Sequence, residues 1–235
     1  MGETINAPRE CSSMSHLRVL PASSIRSQSS MAPTQLRCRD LKGGDIMLQH
    51  NLGNVAGKAI AFGQFMSGLG HSEIIHAGVM FDSSFIVESL GKGVVANDIR
   101  TGNAKCGYVV YRPHNAMLGT VAGNFVKLLF DQHGIVHNLA YSTTGAIGSL
   151  GSAGPARSAA KLDAMMDEIF TGKPSPFFCS QFVVVAYQIA AGQLGMSPQS
   201  VFALDDAKVP PARLATYVEQ SAAFNYVGYL LPNER

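Results

Sequence analysis

The stretch Pro174 to Gly192, PSPFFCSQFVVVAYQIAAG, decides how the chain folds. Pro174 and Pro176 end whatever precedes it, because proline fixes φ and disfavours helix in the residue before it. Beyond them Phe182, Val183, Val185, Ala186, Ile189 and Ala190 recur at spacings of three and four, the pattern of a helix with a buried face. Gly192 reads as its C-terminal stop. The run Val183 to Val185 suits a strand equally well, but the length and flanks of the stretch favour helix. A helix here places Cys179 in the first turn, where backbone N–H groups and the positive end of the helix dipole stabilise a thiolate. The same groups can hold a developing oxyanion on a carbonyl substrate. Most free cysteines are nevertheless small buried hydrophobes, so the nucleophile reading requires a histidine within reach.

Composition narrows the function classes. Hydrophobic residues make up 46% of the 235 and charged residues 14%, which describes a core-rich globular chain with enough length for one good-sized core. A formal net charge of +2 gives no electrostatic argument for nucleic acid or an anionic membrane surface. Cys11, Cys38, Cys106 and Cys179 show neither a CxxC pair nor Cys/His ligand spacing, so no zinc site or other cofactor is expected. No apolar run reaches the length of about 18 residues that a transmembrane helix needs, so no transmembrane segment is expected. The N-terminus lacks a basic region followed by an apolar one, so a standard secretory signal is not expected either. Synthesis in the cytoplasm follows from that, with any later export by another route.

Residues 1–36 are rich in Ser, Arg, Pro and Met without sustained periodicity and read as a flexible leader. Residues 37–235 read as a single domain. Gly44 to Gln49 predicts a short strand, and Lys58 to Gly70 a short helix running into a glycine-broken loop. Ile75 to Phe81 and Phe85 to Ser89 read as strands joined by the turn Asp82-Ser83-Ser84, with further strands at Val94-Val95 and Tyr108 to Tyr111. The alternation then gives way to a helical period. Val121, Phe125, Leu128 and Leu129 define the inner face of a helix over Leu118 to Asp131, and Leu162, Met165, Met166 and Ile169 that of a helix over Ser158 to Phe170. The Gly/Ser/Thr-rich segment from His133 to Gly154 lies between them. A short helix (Ala212 to Gln220) and a strand (Phe224 to Leu231) close the chain. The fold class expected is α+β, an antiparallel sheet packed against helices.

A cysteine nucleophile needs a base, usually oriented by a third polar group. His76 heads the strand IIHAGVMF and is followed by Ala77 and Gly78, whose small size admits a backbone or a substrate. A solvent-bonded strand-edge histidine is the plainer alternative. A turn centred on Ser83 sets Glu88 opposite Gly78 and Leu90 opposite His76, which makes Glu88 a diagonal neighbour of His76 on one face. A slip of one residue would turn Glu88 to the other face, as an ordinary edge acid. Asp82 reads as a turn residue. His71, Glu73 and His76 fall within one loop–strand segment with no further partner evident, so a metal centre is not expected.

Four pieces appear in order: GDIML (Gly44 to Leu48), HAGVMF from His76, VES (Val87 to Ser89) and FFCSQFV (Phe177 to Val183). Together they resemble the circularly permuted papain-like superfamily, the permuted branch of the NlpC cell-wall peptidases that includes the YiiX-like proteins. The resemblance spans roughly residues 41–191. It implies a papain-like cysteine hydrolase (peptidase or amidase) with Cys179 as nucleophile at a helix N-terminus, His76 as base and Glu88 as the third polar residue. Asp45 falls on the family's GD strand, with a structural role near the site. Substrates implied are amide bonds in peptidoglycan peptides or, alternatively, acyl bonds in lipids, as in an acyltransferase or thioesterase using the same dyad. Phe62, Phe65 and Met66 would suit an acyl chain, though core packing explains them equally. A catalytically silent binding module keeping the fold is a further alternative. A wall-peptidase-like domain without a signal also resembles antibacterial effectors delivered to a target cell's periplasm by type VI secretion, with a delivery or immunity protein as partner. The leader and the segment from His133 to Gly154 fall outside the family pattern.

Overall fold

The computed structural model describes residues 34–51, 58, 61, 64, 68–90, 93–133, 158–171 and 177–231. Most of the expected leader lies outside that set. Among the described residues are seven strands: β1 (Gln35–Leu36), β2 (Ile46–His50), β3 (Ile74–Met80), β4 (Phe85–Leu90), β5 (Gly93–Asp98), β6 (Tyr108–Pro113) and β7 (Phe224–Leu230). Four α-helices accompany them: α1 (Ala116–His133), α2 (Ala159–Phe170), α3 (Cys179–Gln193) and α4 (Pro211–Gln220). Lys58, Ala61 and Gln64 are also helical.

All seven strands form one sheet in the order β1-β7-β6-β2-β3-β4-β5, antiparallel except for the β1–β7 pair. This is α+β architecture with a mostly antiparallel sheet. The strands β2 to β5 follow one another as a meander, but β6 returns to the free edge of β2 and β7 extends it. Alternation along each strand shows which residues form a strand, and only the packing of distant segments decides this return. Gln35 and Leu36 were expected within the leader. They form β1, because Leu36 buries its side chain beside Leu41, Met47 and Leu230.

The two faces of the sheet are covered differently. Ile46, Leu48, Ala77, Val79 and Val87 face the helices. Met47, Met80, Ile86, Tyr108 and Val110 face the opposite way, under the segment around Leu36, Cys38 and Leu41 and under Ile99 from the β5–β6 loop. Helix α3 is the centre of the helical layer. Every residue from Cys179 to Ala191 is buried, so the helix is apolar nearly all round rather than one-sided, the expected composition of a core helix. It runs past Gly192 to Gln193, and Gly195, at φ +69°, is the left-handed residue beyond its end. In α1 the inner stripe is Leu118, Ala122, Phe125 and Leu129. Leu128, expected on it, stands about 100° round the helix and is exposed.

Close approach of α1 to the start of β2 depends on glycine. Gly44 has φ +82°, and a Cβ there would lie 2.2 Å from the Gly119 carbonyl oxygen. The Tyr187 hydroxyl donates to the Gly44 carbonyl, tying α3 to the same point. Beside it Asp45, fully buried, accepts two bonds from Arg112 (2.6 Å to Oδ1 and 2.7 Å to Oδ2) and one from the Lys42 N–H (2.8 Å). Among the described residues no helix is long and apolar enough to cross a membrane.

Candidate active site

The site lies where β3 and β4 part. Their pairing runs Met80↔Ile86, Val79↔Val87, Gly78↔Glu88 and then stops. The register is the one that the turn predicts, because Asp82 Oδ1 accepts from the N–H groups of Ser84 and Phe85 and closes that turn tightly. The expected facing of Leu90 and His76 is not among the pairs. The start of α3 enters there instead, and the Ser89 hydroxyl fastens the incoming chain by donating to the Phe177 carbonyl (2.9 Å).

Three elements thus meet at one point. Cys179 is the first residue of α3, and the helical ladder begins only with the Phe182 N–H to the Phe178 carbonyl, so the N–H groups before it point out of the helix start. His76 comes from β3, on the sheet face away from the helices, and Glu88 from β4 shares that face. His76 Nε2 and Glu88 Oε1 are 3.1 Å apart. The N–H of Nε2 does not point at the oxygen, so the contact is an ion pair rather than an aligned hydrogen bond. Relative exposures of 3% for Cys179, 12% for the His76 side chain and 2% for Glu88 put the whole set in a largely dry environment. Charge–charge interactions are strong there.

That environment sorts the protons. Burial by itself lowers an imidazole's pKa, but the Cys179 sulfur and the Glu88 carboxylate outweigh it and raise His76 to about 10. For Cys179 burial raises the thiol. His76 and the backbone N–H groups of Ala77 and Ser180 oppose that and bring it below its ordinary value. Glu88 would likewise be raised by burial and is held down by His76, Asn103 and Asn97. These directions favour a thiolate facing an imidazolium, backed by a carboxylate. A thiolate is the nucleophilic form of the sulfur, and an imidazolium can give its proton to a leaving group.

The first turn of α3 is pinned from the far side as well. Ser180 Oγ donates to the Val209 carbonyl (2.5 Å), and Gln181 Nε2 to Asp206 Oδ2 (2.9 Å), both buried. No family model matches the chain, and no curated protein matches it in sequence.

Of the residues singled out from the sequence, Cys179, His76 and Glu88 come together. Asp45 does not join them. It sits level with Met80, whose N–H bonds its carbonyl, four residues along β3 from His76, or roughly 13 Å. Its two bonds to Arg112 make it an anchor at the opposite end of the strand. His71 turns away from His76 to meet Glu219 (2.8 Å) and Glu73 (3.4 Å). Phe62, Phe65, Met66 and nearly all of the segment from His133 to Gly154 lie outside the described residues.

Sequence reasoning passed over four side chains that hold the site. Asn97 and Asn103 bond Glu88, and Tyr108 bonds Asn103. Gln64, fully buried, donates to the Ser72 and Ile74 carbonyls and accepts from the Ala212 N–H, fixing the start of β3 ahead of His76. Only Asn97 had a local signal, since it pairs on β5 with Ile86, two residues before Glu88 in β4 and on the same face of the sheet. The others act across sequence separations that no periodicity reveals.

Proposed function

We propose that this chain is a cysteine hydrolase of the permuted papain-like type, with residues 37–235 as its catalytic domain. The observation that carries the reading is the meeting of Cys179, first residue of a buried helix, with His76 of β3, whose Nε2 lies 3.1 Å from the buried Glu88 carboxylate; a thiol shifted down and an imidazole shifted up agree with it.

In this reading the Cys179 thiolate attacks an amide carbonyl, and N–H groups at the start of α3 receive the developing oxyanion. The His76 imidazolium gives its proton to the departing amine as the C–N bond breaks, leaving a thioester on Cys179. Neutral His76 then takes a proton from water. The hydroxide adds to the thioester, the C–S bond breaks, and the acid product leaves a thiolate facing an imidazolium again. Glu88 keeps the imidazole in place and balances its charge.

The substrate class comes from the sequence resemblance: amide bonds in peptidoglycan peptides, reached by delivery of the protein to a target cell's periplasm as an antibacterial effector. A delivery protein and an immunity protein are the partners this implies. Mass spectrometry of peptidoglycan digested with wild type and with Cys179→Ala tests it. Cysteine-dependent fragments are expected and would name the bond. An identical digest from both proteins overturns the peptidoglycan assignment and makes phospholipids and thioesters the next substrates for the same site.

A further inference from the structure

Glu88 divides its two oxygens between two tasks. Oε1 faces His76 at 3.1 Å. Oε2 accepts from Asn97 Nδ2 at 3.0 Å and from Asn103 Nδ2 at 2.8 Å. We propose that Asn103, with Asn97, is a positioning residue of the site, the two amides holding the Glu88 carboxylate ionised and turned so that its other oxygen meets His76. The proposal rests on the hydrolase reading above and extends it beyond Cys179, His76 and Glu88.

The direction of these bonds is fixed by chemistry. An ionised carboxylate only accepts, so each amide must present nitrogen, not oxygen, to Oε2. The Asn103 Nδ2 also lies 2.8 Å from the hydroxyl of Tyr108, a residue with no exposed surface, so its two N–H bonds have two separate acceptors. Without such donors a carboxylate at 2% exposure would favour its neutral form, and a neutral Glu88 would no longer hold His76 charged.

Asn103 is not needed merely to fasten its loop. Its N–H donates to the Asp98 carbonyl (3.3 Å) and its carbonyl accepts from the Cys106 N–H (2.9 Å), while Thr101 and Gly102 also donate to Asp98. The backbone therefore fixes the loop by itself and presents the side chain already oriented. Asn97 reaches the same oxygen from β5, an independent support. The titratable groups around Glu88 are His76 on β3, Cys179 beyond it at the start of α3, Tyr108 on β6 and Cys106 before β6. Burial pushes Cys106 and Tyr108 upward, so both stay neutral near neutral pH and leave His76 as the charge Glu88 answers.

The test is the rate of Cys179 alkylation by iodoacetamide as a function of pH, read from the mass of the Cys179 peptide in the full-length protein, with melting curves recorded for every variant. Asn103→Leu should move the acid limb of that profile up by about one pH unit, the equivalent of one lost hydrogen bond to a charged group. Asn97→Leu should move it the same way by less, since that amide makes the longer contact. Both side chains are partly exposed, and if Asn103→Leu does not fold, Asn97→Leu decides alone. Folded variants with an unmoved acid limb overturn the positioning role. A wild-type Cys179 that ionises only in the ordinary thiol range overturns the hydrolase reading itself, a result visible before any variant is made.

Discussion

Gly78 lies directly opposite Glu88 across the β3–β4 pair, and a Cβ on Gly78 would fall 2.8 Å from Glu88 Cγ. The glycine leaves the space through which the glutamate crosses β3 toward His76. Ile86 Cδ1 closes the same space from the other side, also at 2.8 Å, so the added methyl has nowhere to go. Gly78→Ala should therefore displace the Glu88 carboxylate from His76. Overpacking of this kind costs about 1–3 kcal/mol of stability. Hydrolysis should fall by more than that loss explains, about 10- to 100-fold, because orientation at the centre is lost as well. Rate constants measured together with urea unfolding separate the two effects, and an unchanged rate would show that Glu88 needs no such passage.

The proton arrangement fixes a pH window. Unfolded, the histidine titrates at about 6.5 and the cysteine at about 8.5. Folded, His76 is raised to about 10 and Cys179 is lowered. His76 thus contributes stability present below about 6.5 and lost as pH rises through about 10, while Cys179 contributes stability present above about 8.5 and lost as pH falls through its folded value. Above both about 6.5 and the folded Cys179 value, and below about 8.5, the folded pair holds one proton on His76 and the unfolded pair one on the cysteine, so the pair adds no pH slope there. The difference in melting temperature between wild type and the double variant Cys179→Ala/His76→Gln should be flat across that window and narrow on both sides. A steady slope through neutrality would contradict a thiolate–imidazolium ground state.

How much of this was readable in the sequence depended on range. The Gly78–Glu88 register was, because a single short turn with its own Asp82 cap sets it. The helical start at Cys179 was, because Pro174 and Pro176 and the spacing of Phe182, Val185 and Ile189 are local. The uniform burial of α3 was not, since it depends on what packs on the side bearing Tyr187 and Gln188. Tyr187 binds the Gly44 carbonyl and Gln188 the carbonyls of Phe202 and Leu204, all remote in sequence. Asn103 was invisible for the same reason. A loop asparagine looks identical whether it faces solvent or a buried carboxylate.

Arg112 and Asp45 give a control that touches the fold without touching the site. Removing one partner of a buried ion pair leaves an uncompensated charge, which costs about 3–5 kcal/mol. Asp45 keeps the Lys42 N–H, and Arg112 is itself 26% exposed, so Arg112→Met should cost about 3 kcal/mol at most. The acid limb of Cys179 alkylation should stay where it is. Urea unfolding followed by alkylation of the folded variant checks both halves, and a shifted limb would mean that Asp45 acts on the site after all.

Ser89 joins the two halves of the centre most directly, since it follows Glu88 in β4 and holds the carbonyl of Phe177, two residues before Cys179. Ser89→Ala leaves that carbonyl buried without its donor, a loss of about 1–3 kcal/mol in stability. The kinetic effect should be selective. The helix start would gain freedom relative to β3, so the sulfur would spend less time against His76 and the Ala77 N–H, and kcat should fall about 10-fold or more. Groups that only bind substrate would be undisturbed, leaving KM nearly constant. Steady-state kinetics on whichever substrate the digest identifies makes the distinction. A raised KM at constant kcat would place Ser89 in substrate binding, and an unaltered pair of constants would show that Ser180 and Gln181 hold Cys179 in position without it.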